Sequence, residues 1–170
     1  MPDVRNFRSE MVKNMVQFTR KHTGCEEALE LPPPRCVLKP VIFVVAAAIL
    51  DADGRVLIAQ RPEGKAMAGL WEFPGGKVQE GETPEFALMR ELKEELDLET
   101  RPCCFSPLAF ASHAYNDFHL VMPLFVCRVW KGTVRGKEGQ AFKWVKPAAL
   151  YDFPMPEADL PLVAQLQELM

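Results

Sequence analysis

Apolar residues along this chain recur with two different periods, and the periods mark out the elements. Val41 to Leu50 is an unbroken apolar run rich in Val, Ile and Phe, which predicts a buried strand. Asp51-Ala52-Asp53-Gly54 follows as a hairpin turn signal, and Arg55 to Arg61 reads as the returning strand. Glu63 to Gly69 reads as a loop. Trp71-Glu72-Phe73 reads as a short strand that Pro74-Gly75-Gly76 breaks in a tight turn. Leu88, Leu92 and Leu96 lie four apart and predict a helix from Thr83 to about Leu96. Leu108–Ala114 and Phe118–Val129 form a second predicted hairpin, turning at Tyr115-Asn116-Asp117. Ala141–Val145 is a further strand, and Glu157–Leu169 a final helix with Pro161 near its start.

Strands dominate, with one central and one terminal helix. The expected fold class is α/β (α+β), a mixed β-sheet sandwiched between α-helices. Residues 1–39 stand apart as an N-terminal extension, flexible or partly helical. Met11, Val12, Met15, Val16 and Thr19 fall at helical spacing, and Pro32-Pro33-Pro34 then imposes an extended link. This stretch reads as a mobile tail, an over-long start or a docking helix. The domain proper is expected over residues 40–170.

Composition narrows the class. Of 170 residues, 48% are hydrophobic and 25% charged, an ordinary globular balance. The net charge of −3 argues against a nucleic-acid polymer as partner, though not against a small phosphorylated ligand whose charge a divalent cation offsets. The apolar run at Val41 is too short to span a bilayer and too far along the chain for a secretory signal, so no membrane partner and a cytoplasmic location are expected. Cys25, Cys36, Cys103, Cys104 and Cys127 lack metal-site spacing and read as reduced, small, buried residues. A monomer is expected. His113 and His119 read as strand residues without a ligand role, and His22 lies in the extension.

The chemistry concentrates on the central helix. Thr83 can cap it, Pro84 suits the first helical position, and Glu85 favours the positive end. Glu91, Glu94 and Glu95 share one side of the helix, within an arc of about 100°. By spacing alone this strip fits either a solvated acidic face or a site for a hard cation such as Mg2+. Just upstream, Pro74-Gly75-Gly76 allows backbone groups to approach a metal or phosphate closely.

The whole string runs from Gly76 through five residues to Glu82, then seven residues to Arg90-Glu91-Leu92-Lys93-Glu94-Glu95-Leu96-Asp97-Leu98. It resembles the Nudix box, G-x5-E-x7-R-E-U-x-E-E-x-G-U, at every fixed position except Asp97, where the family has Gly. Asp97 is expected to take the left-handed conformation that the Gly would adopt. Trp71 to Lys77, Gly136-Lys137-Glu138-Gly139-Gln140, Asp152-Phe153-Pro154 and Ala158-Asp159-Leu160-Pro161 extend the resemblance to the MutT subgroup.

That resemblance implies a metal-dependent pyrophosphohydrolase that converts 8-oxo-dGTP to 8-oxo-dGMP and pyrophosphate, sanitising the nucleotide pool. It implies Mg2+, with Mn2+ as an alternative, held by the Gly75 carbonyl, Glu91, Glu94, Glu95 and Glu138. Arg90 would orient the glutamates, and Glu138 would act as general base or late ligand. Arg61, Glu72, Phe73, Pro74, Gly75 and Asp159 would bind the nucleotide, with Asp159 facing the base. The subgroup's histidine near the nucleotide is replaced by Ala66, and its Asn by Asp159. Other Nudix substrates, and a non-catalytic nucleotide-sensing module, are the alternatives.

Overall fold

The computed structural model describes residues 39–137 and 139–169. The extension and Glu138 therefore lie outside the described residues, as do the readings made on them. The elements are β1 (Val41–Ile49), β2 (Val56–Gln60), β3 (Trp71–Glu72), β4 (Gly75–Lys77), α1 (Pro84–Leu96), β5 (Phe105–Ala114), β6 (His119–Cys127), β7 (Phe142–Val145) and α2 (Leu160–Glu168). Short 3-10 helices occupy Pro102–Cys104 and Pro147–Asp152.

The strands form two sheets. One has the order β4-β1-β6-β5, with β1 and β6 parallel and the other pairs antiparallel; the second is antiparallel, β3-β2-β7. The expected β1–β2 hairpin needs correcting. The turn forms, with Gly54 N–H donating to the Asp51 carbonyl at 3.0 Å, but only the single bridge Leu50–Val56 follows it. The strands then part into different sheets, because β1 finds both its partners, β4 and β6, far along the chain.

The unbroken apolar run of β1 reflects burial on both faces. Val45, Ala47 and Ile49 meet Leu88, Leu92 and Leu96 of α1 in one core. Ala46 and Ala48 face the other way, in a second core with Leu162, Val163 and Leu166 of α2. The chain is thus a mixed α+β sandwich with a helix on each side of β1. The pairing of β1 with β6 breaks between Phe43–Val121 and Ala46–Leu124. Pro123, which has no N–H to give, sits in that gap, which is how a proline is tolerated inside a central strand.

Pro74-Gly75-Gly76 is not a tight turn. The chain crosses from one sheet to the other at Phe73 and Pro74, and Gly75-Gly76-Lys77 pairs antiparallel with Ala46, Val45 and Val44. Glycine is required by close approach: a Cβ on Gly75 would lie 2.8 Å from the Ala46 Cα and closer still to the Val45 carbonyl oxygen. Cys103 also departs from expectation. It is exposed in the surface 3-10 turn, whereas Cys127 is buried, and the described cysteines form no disulfide.

Candidate active site

Helix α1 is fixed at both ends. Thr83 Oγ accepts from the Phe86 N–H at 3.5 Å, Pro84 opens the first turn, and Asp97 closes the helix at φ 60°, its N–H returning to the Leu92 carbonyl. The left-handed Asp97 matches expectation. Leu88, Leu92 and Leu96 are fully buried. Each contributes about 1.5–3 kcal/mol of burial, which locks the rotation of the helix and sets its polar side.

On that side Arg90 uses its whole guanidinium. Nε and one terminal nitrogen fork onto both oxygens of Glu82 at 2.8 Å, and that terminal nitrogen also donates to the Lys77 carbonyl at 3.1 Å. The other terminal nitrogen donates to Glu91 at 2.7 Å and to Glu94 at 3.4 Å. The Arg90 hydrogen bonds, ahead of one from the Gln79 N–H, draw the Glu82 carboxyl down to about 2. Glu82 is a site residue that reading by role passed over, although its place in the box was the available signal. It anchors Arg90, which in turn holds Glu91.

Glu91 and Glu95 line a cleft of about 380 Å3 together with Gly75, Gly76, Phe73, Arg61 and Asp159. Lys65, Lys77, Met122 and Gln140 also line it, and no motif had singled out Lys65 or Met122. Glu94 is not among the lining residues; its side chain is 58% exposed on the outer edge of the strip. The buried Pro74 gives its carbonyl to the Ala47 N–H at 2.8 Å. The Arg61 guanidinium ties the Ala66 carbonyl at 2.6 Å to the Glu72 carboxylate, so it clasps the 62–69 loop against β3. His113 meets Glu157 at 3.2 Å and His119 meets Ser112 at 2.8 Å, both on the second hairpin.

A second cavity of about 340 Å3 shares Val44, Arg61, Glu72, Lys77, Met122 and Asp159 with the first. Its other walls are largely apolar, including Met67, Tyr115, Phe118 and Leu120. One cleft thus has a charged end at α1 and an apolar end suited to a flat ring.

Asp159 stands where the two ends meet. Helix α2 was expected from Glu157 but starts at Leu160, which makes Asp159 its N-cap residue, yet the side chain makes no capping bond. The carboxyl turns into the fold, accepting a long 3.5 Å bond from the Phe73 N–H, and the residue is only 4% exposed. Giving up a cap worth about 1 kcal/mol marks a residue directed elsewhere. Burial, with the negative Glu72 nearby and little relief from the Phe73 N–H and Arg61, lifts its carboxyl to about 7. Burial raises Glu72 too, against the pull of Arg61.

Among the described residues no three His, Cys, Asp or Glu side chains converge as a closed metal cluster. The donors facing the cleft, the Glu91 and Glu95 carboxylates beside the Gly75 backbone, are hard oxygens. The bare Cα of Gly76 forms a cradle that the Glu91 carboxylate fills, since a Cβ there would overlap it. Gly76→Ala is therefore expected to push the Glu91 carboxylate aside and lower kcat by at least about tenfold, the scale of a misplaced reacting group. Only a flexible side chain must yield, so the thermal midpoint should hold. Unchanged kcat in the alanine variant would show that this seat is idle.

Comparison with known proteins agrees with this geometry. The NUDIX domain family matches residues 45–165, and the chain belongs to that family. An 8-oxo-dGTP diphosphatase of Proteus vulgaris is 40% identical over 59% of this chain and 88% of its own length. A CTP pyrophosphohydrolase of Escherichia coli (strain K12) is 39% identical over 74% of this chain and 91% of its own. A solved MutT structure from work on the Aliivibrio salmonicida and Vibrio cholerae proteins superposes with a TM-score of 0.64 at 35% identity, covering 76% of this chain and 99% of that one. The protein is a MutT-like Nudix hydrolase, of a family that generally uses divalent metal ions. No helix among the described residues is long and apolar enough to cross a membrane.

Proposed function

We propose that this enzyme hydrolyses 8-oxo-dGTP to 8-oxo-dGMP and pyrophosphate with Mg2+ as its working metal, removing an oxidised nucleotide before it reaches DNA. The observation that carries this reading is the buried Asp159 carboxyl, which opens on the same cleft as Glu91 and Glu95. The name of the relative from Proteus vulgaris supports it.

Glu91, Glu95 and the Gly75 carbonyl would hold the metal, with Glu94 and Glu138 completing the acidic set and Arg90 keeping Glu91 in place. A metal bound there would offset phosphate charge and acidify a water. Lys65 and Lys77 add positive charge along the triphosphate. Glu138 accepts the proton of the attacking water as its oxygen bonds to the β-phosphorus. The bond from that phosphorus to the α–β bridging oxygen breaks, leaving the nucleoside monophosphate and pyrophosphate. The ring lies at the apolar end, between Met122, Phe118 and the 62–69 loop.

Asp159 reads the base. Oxidised guanine presents O6, an acceptor, beside N7–H, a donor, whereas normal guanine has an acceptor at N7. A neutral carboxyl donates with one oxygen and accepts with the other, so it matches the oxidised edge and opposes the normal one. The carboxyl raised to about 7 supports this register over a fully ionised one, which O6 would repel.

A second reading has one specific support, the CTP pyrophosphohydrolase relative. Cytosine sets the N3 acceptor beside an N4 donor, and a neutral carboxyl matches that pair as well. Either substrate fits a monomeric enzyme acting on small nucleotides.

Product analysis tests the reaction type. Chromatography of an 8-oxo-dGTP digest should show the monophosphate and pyrophosphate in equal amounts, with activity abolished by EDTA and restored by Mg2+. Orthophosphate as the first product, or turnover that survives EDTA, would refute the assignment.

A further inference from the structure

We propose, on the reading that the cleft takes a nucleoside triphosphate with its base beside Asp159, that Met67 is a substrate-binding residue that covers the face of that base.

The 62–69 loop has three left-handed positions: Gly64 at φ 87°, Met67 at φ 59° and Gly69 at φ 84°. Such a backbone strains an L residue and not glycine. Glycine stands at two of the three, although a Cβ at either would meet no atom within 4 Å. At the third the chain keeps a long side chain on strained backbone. Asp97 is the other non-glycine residue at positive φ among the described residues, and Lys93 and Lys137 each engage its carboxylate at 2.9 Å. Met67 has no polar group with which to offset the strain locally.

The conformation is imposed from outside the loop. The Arg61 guanidinium donates to the Ala66 carbonyl at 2.6 Å and pairs with Glu72 on β3. The Leu70 N–H donates to the Met67 carbonyl at 3.2 Å, and the Gln60 side-chain amide to the Gly69 carbonyl at 2.9 Å. The carbonyls on either side of the Met67 Cα, that of Ala66 and its own, are thus tied down. That sets the direction in which the side chain leaves the loop.

The direction is the apolar end of the cleft, which Met67 lines together with Tyr115, Phe118, Met122 and Asp159. The wall at the second hairpin is already packed. The Tyr115 and Phe118 rings lie 4.8 Å apart, and Lys39 Nζ holds the Tyr115 carbonyl at 2.6 Å. Leu120 and Met122 are buried, whereas Met67 stays 41% exposed. An apolar side chain fixed at the mouth of a cavity and left open gains contact when a ligand enters. The thioether is flexible and polarisable, and it makes favourable contacts with aromatic rings. A nucleobase supplies such a ring. This contact takes the face of the ring and ignores its edge, so Met67 contributes affinity for any base, while Asp159 chooses among bases.

Steady-state kinetics with 8-oxo-dGTP and with CTP, and thermal melts, on Met67→Gly, Met67→Asn and Met67→Leu test the assignment. Glycine and asparagine both accept the left-handed backbone, and both remove the apolar cover. Each should raise KM about five- to tenfold for both nucleotides with kcat changed little, the scale of one half-buried apolar side chain lost from uniform binding. The thermal midpoint should hold or rise. Met67→Leu restores the apolar volume and should bring KM back to within about twofold of the wild type. A residue serving only the loop backbone would give the opposite pattern, with glycine and asparagine harmless. Unchanged KM in those two variants overturns the cover, as does a raised KM with a fallen midpoint, or leucine as damaging as glycine. Wild-type enzyme that turns over CTP but not 8-oxo-dGTP overturns the proposed substrate instead, and the KM values for CTP still decide the role of Met67.

Discussion

Glu91→Gln lowers kcat at least about 100-fold while the domain stays folded. The substitution keeps the shape of the side chain and removes its charge. Glu91 is held closely by its surroundings: it rests against the Gly76 Cα, takes Arg90 at 2.7 Å and opens on the cleft. A glutamine oxygen can still accept from Arg90, but it cannot offset divalent charge. The loss of a positioned electrostatic group at a metal-assisted centre sets the expected scale. Stability should change by no more than about 1 kcal/mol, because the lost ion pair is offset by relief of repulsion with Glu94 and Glu95. Steady-state kinetics under saturating Mg2+ with thermal melts alongside make the check. Full turnover in the glutamine variant would remove Glu91 from the metal's donors.

Asp159→Ala and Asp159→Asn are expected to part company. Alanine removes both the donor and the acceptor, so the ratio of kcat/KM for 8-oxo-dGTP over dGTP should fall at least about tenfold, the scale of a charge-free recognition pair lost in a buried site. Asparagine donates from its amide nitrogen and accepts at its oxygen, the same complement as the neutral acid, so the ratio should survive. The two also differ in pH response. The wild-type carboxyl is raised to about 7, so it is neutral below that pH and ionised above it. Selectivity should decline as pH rises through about 7 in the wild type and stay flat in Asp159→Asn. The same sign governs stability. The unfolded chain releases this proton near pH 4 and the folded chain near 7, so the stabilisation is complete below about 4 and lost as pH rises to 7. Ratios measured from pH 6 to 9 decide the matter: a flat wild-type profile, or an asparagine variant as damaged as the alanine, would contradict the neutral-acid reading.

What the sequence made legible was local. The cap at Thr83, the leucine stripe and the left-handed Asp97 all follow from residues within one helix, and all stand in the structure as read. The turn after β1 was also local, and it formed. The destination of the strands was not, because β1 pairs with chain some 30 and 80 residues away. Gly75 and Gly76 were read as a tight turn bringing backbone close to a metal or phosphate, whereas the close approach in the structure is that of a strand to β1 and, at Gly76, to the Glu91 carboxylate. Asp159 shows the limit of spacing alone. The helix was read from Glu157, only the family resemblance put Asp159 at the nucleotide, and its inward turn depends on the distant Phe73 and the walls of the cleft. Cys103 was taken for a core residue on composition, whereas the proline before it sets a surface turn.

One competition assay reaches the central claim most directly. 8-oxo-dGTP, dGTP and CTP, mixed at equal concentration with Mg2+ at pH 7, are followed together by chromatography through the first tenth of conversion, approximately. Under these conditions the rates stand in the ratio of the kcat/KM values. The account predicts that 8-oxo-dGTP is consumed at least about tenfold faster than either rival. Preferential loss of CTP, or equal loss of dGTP and 8-oxo-dGTP, would contradict it.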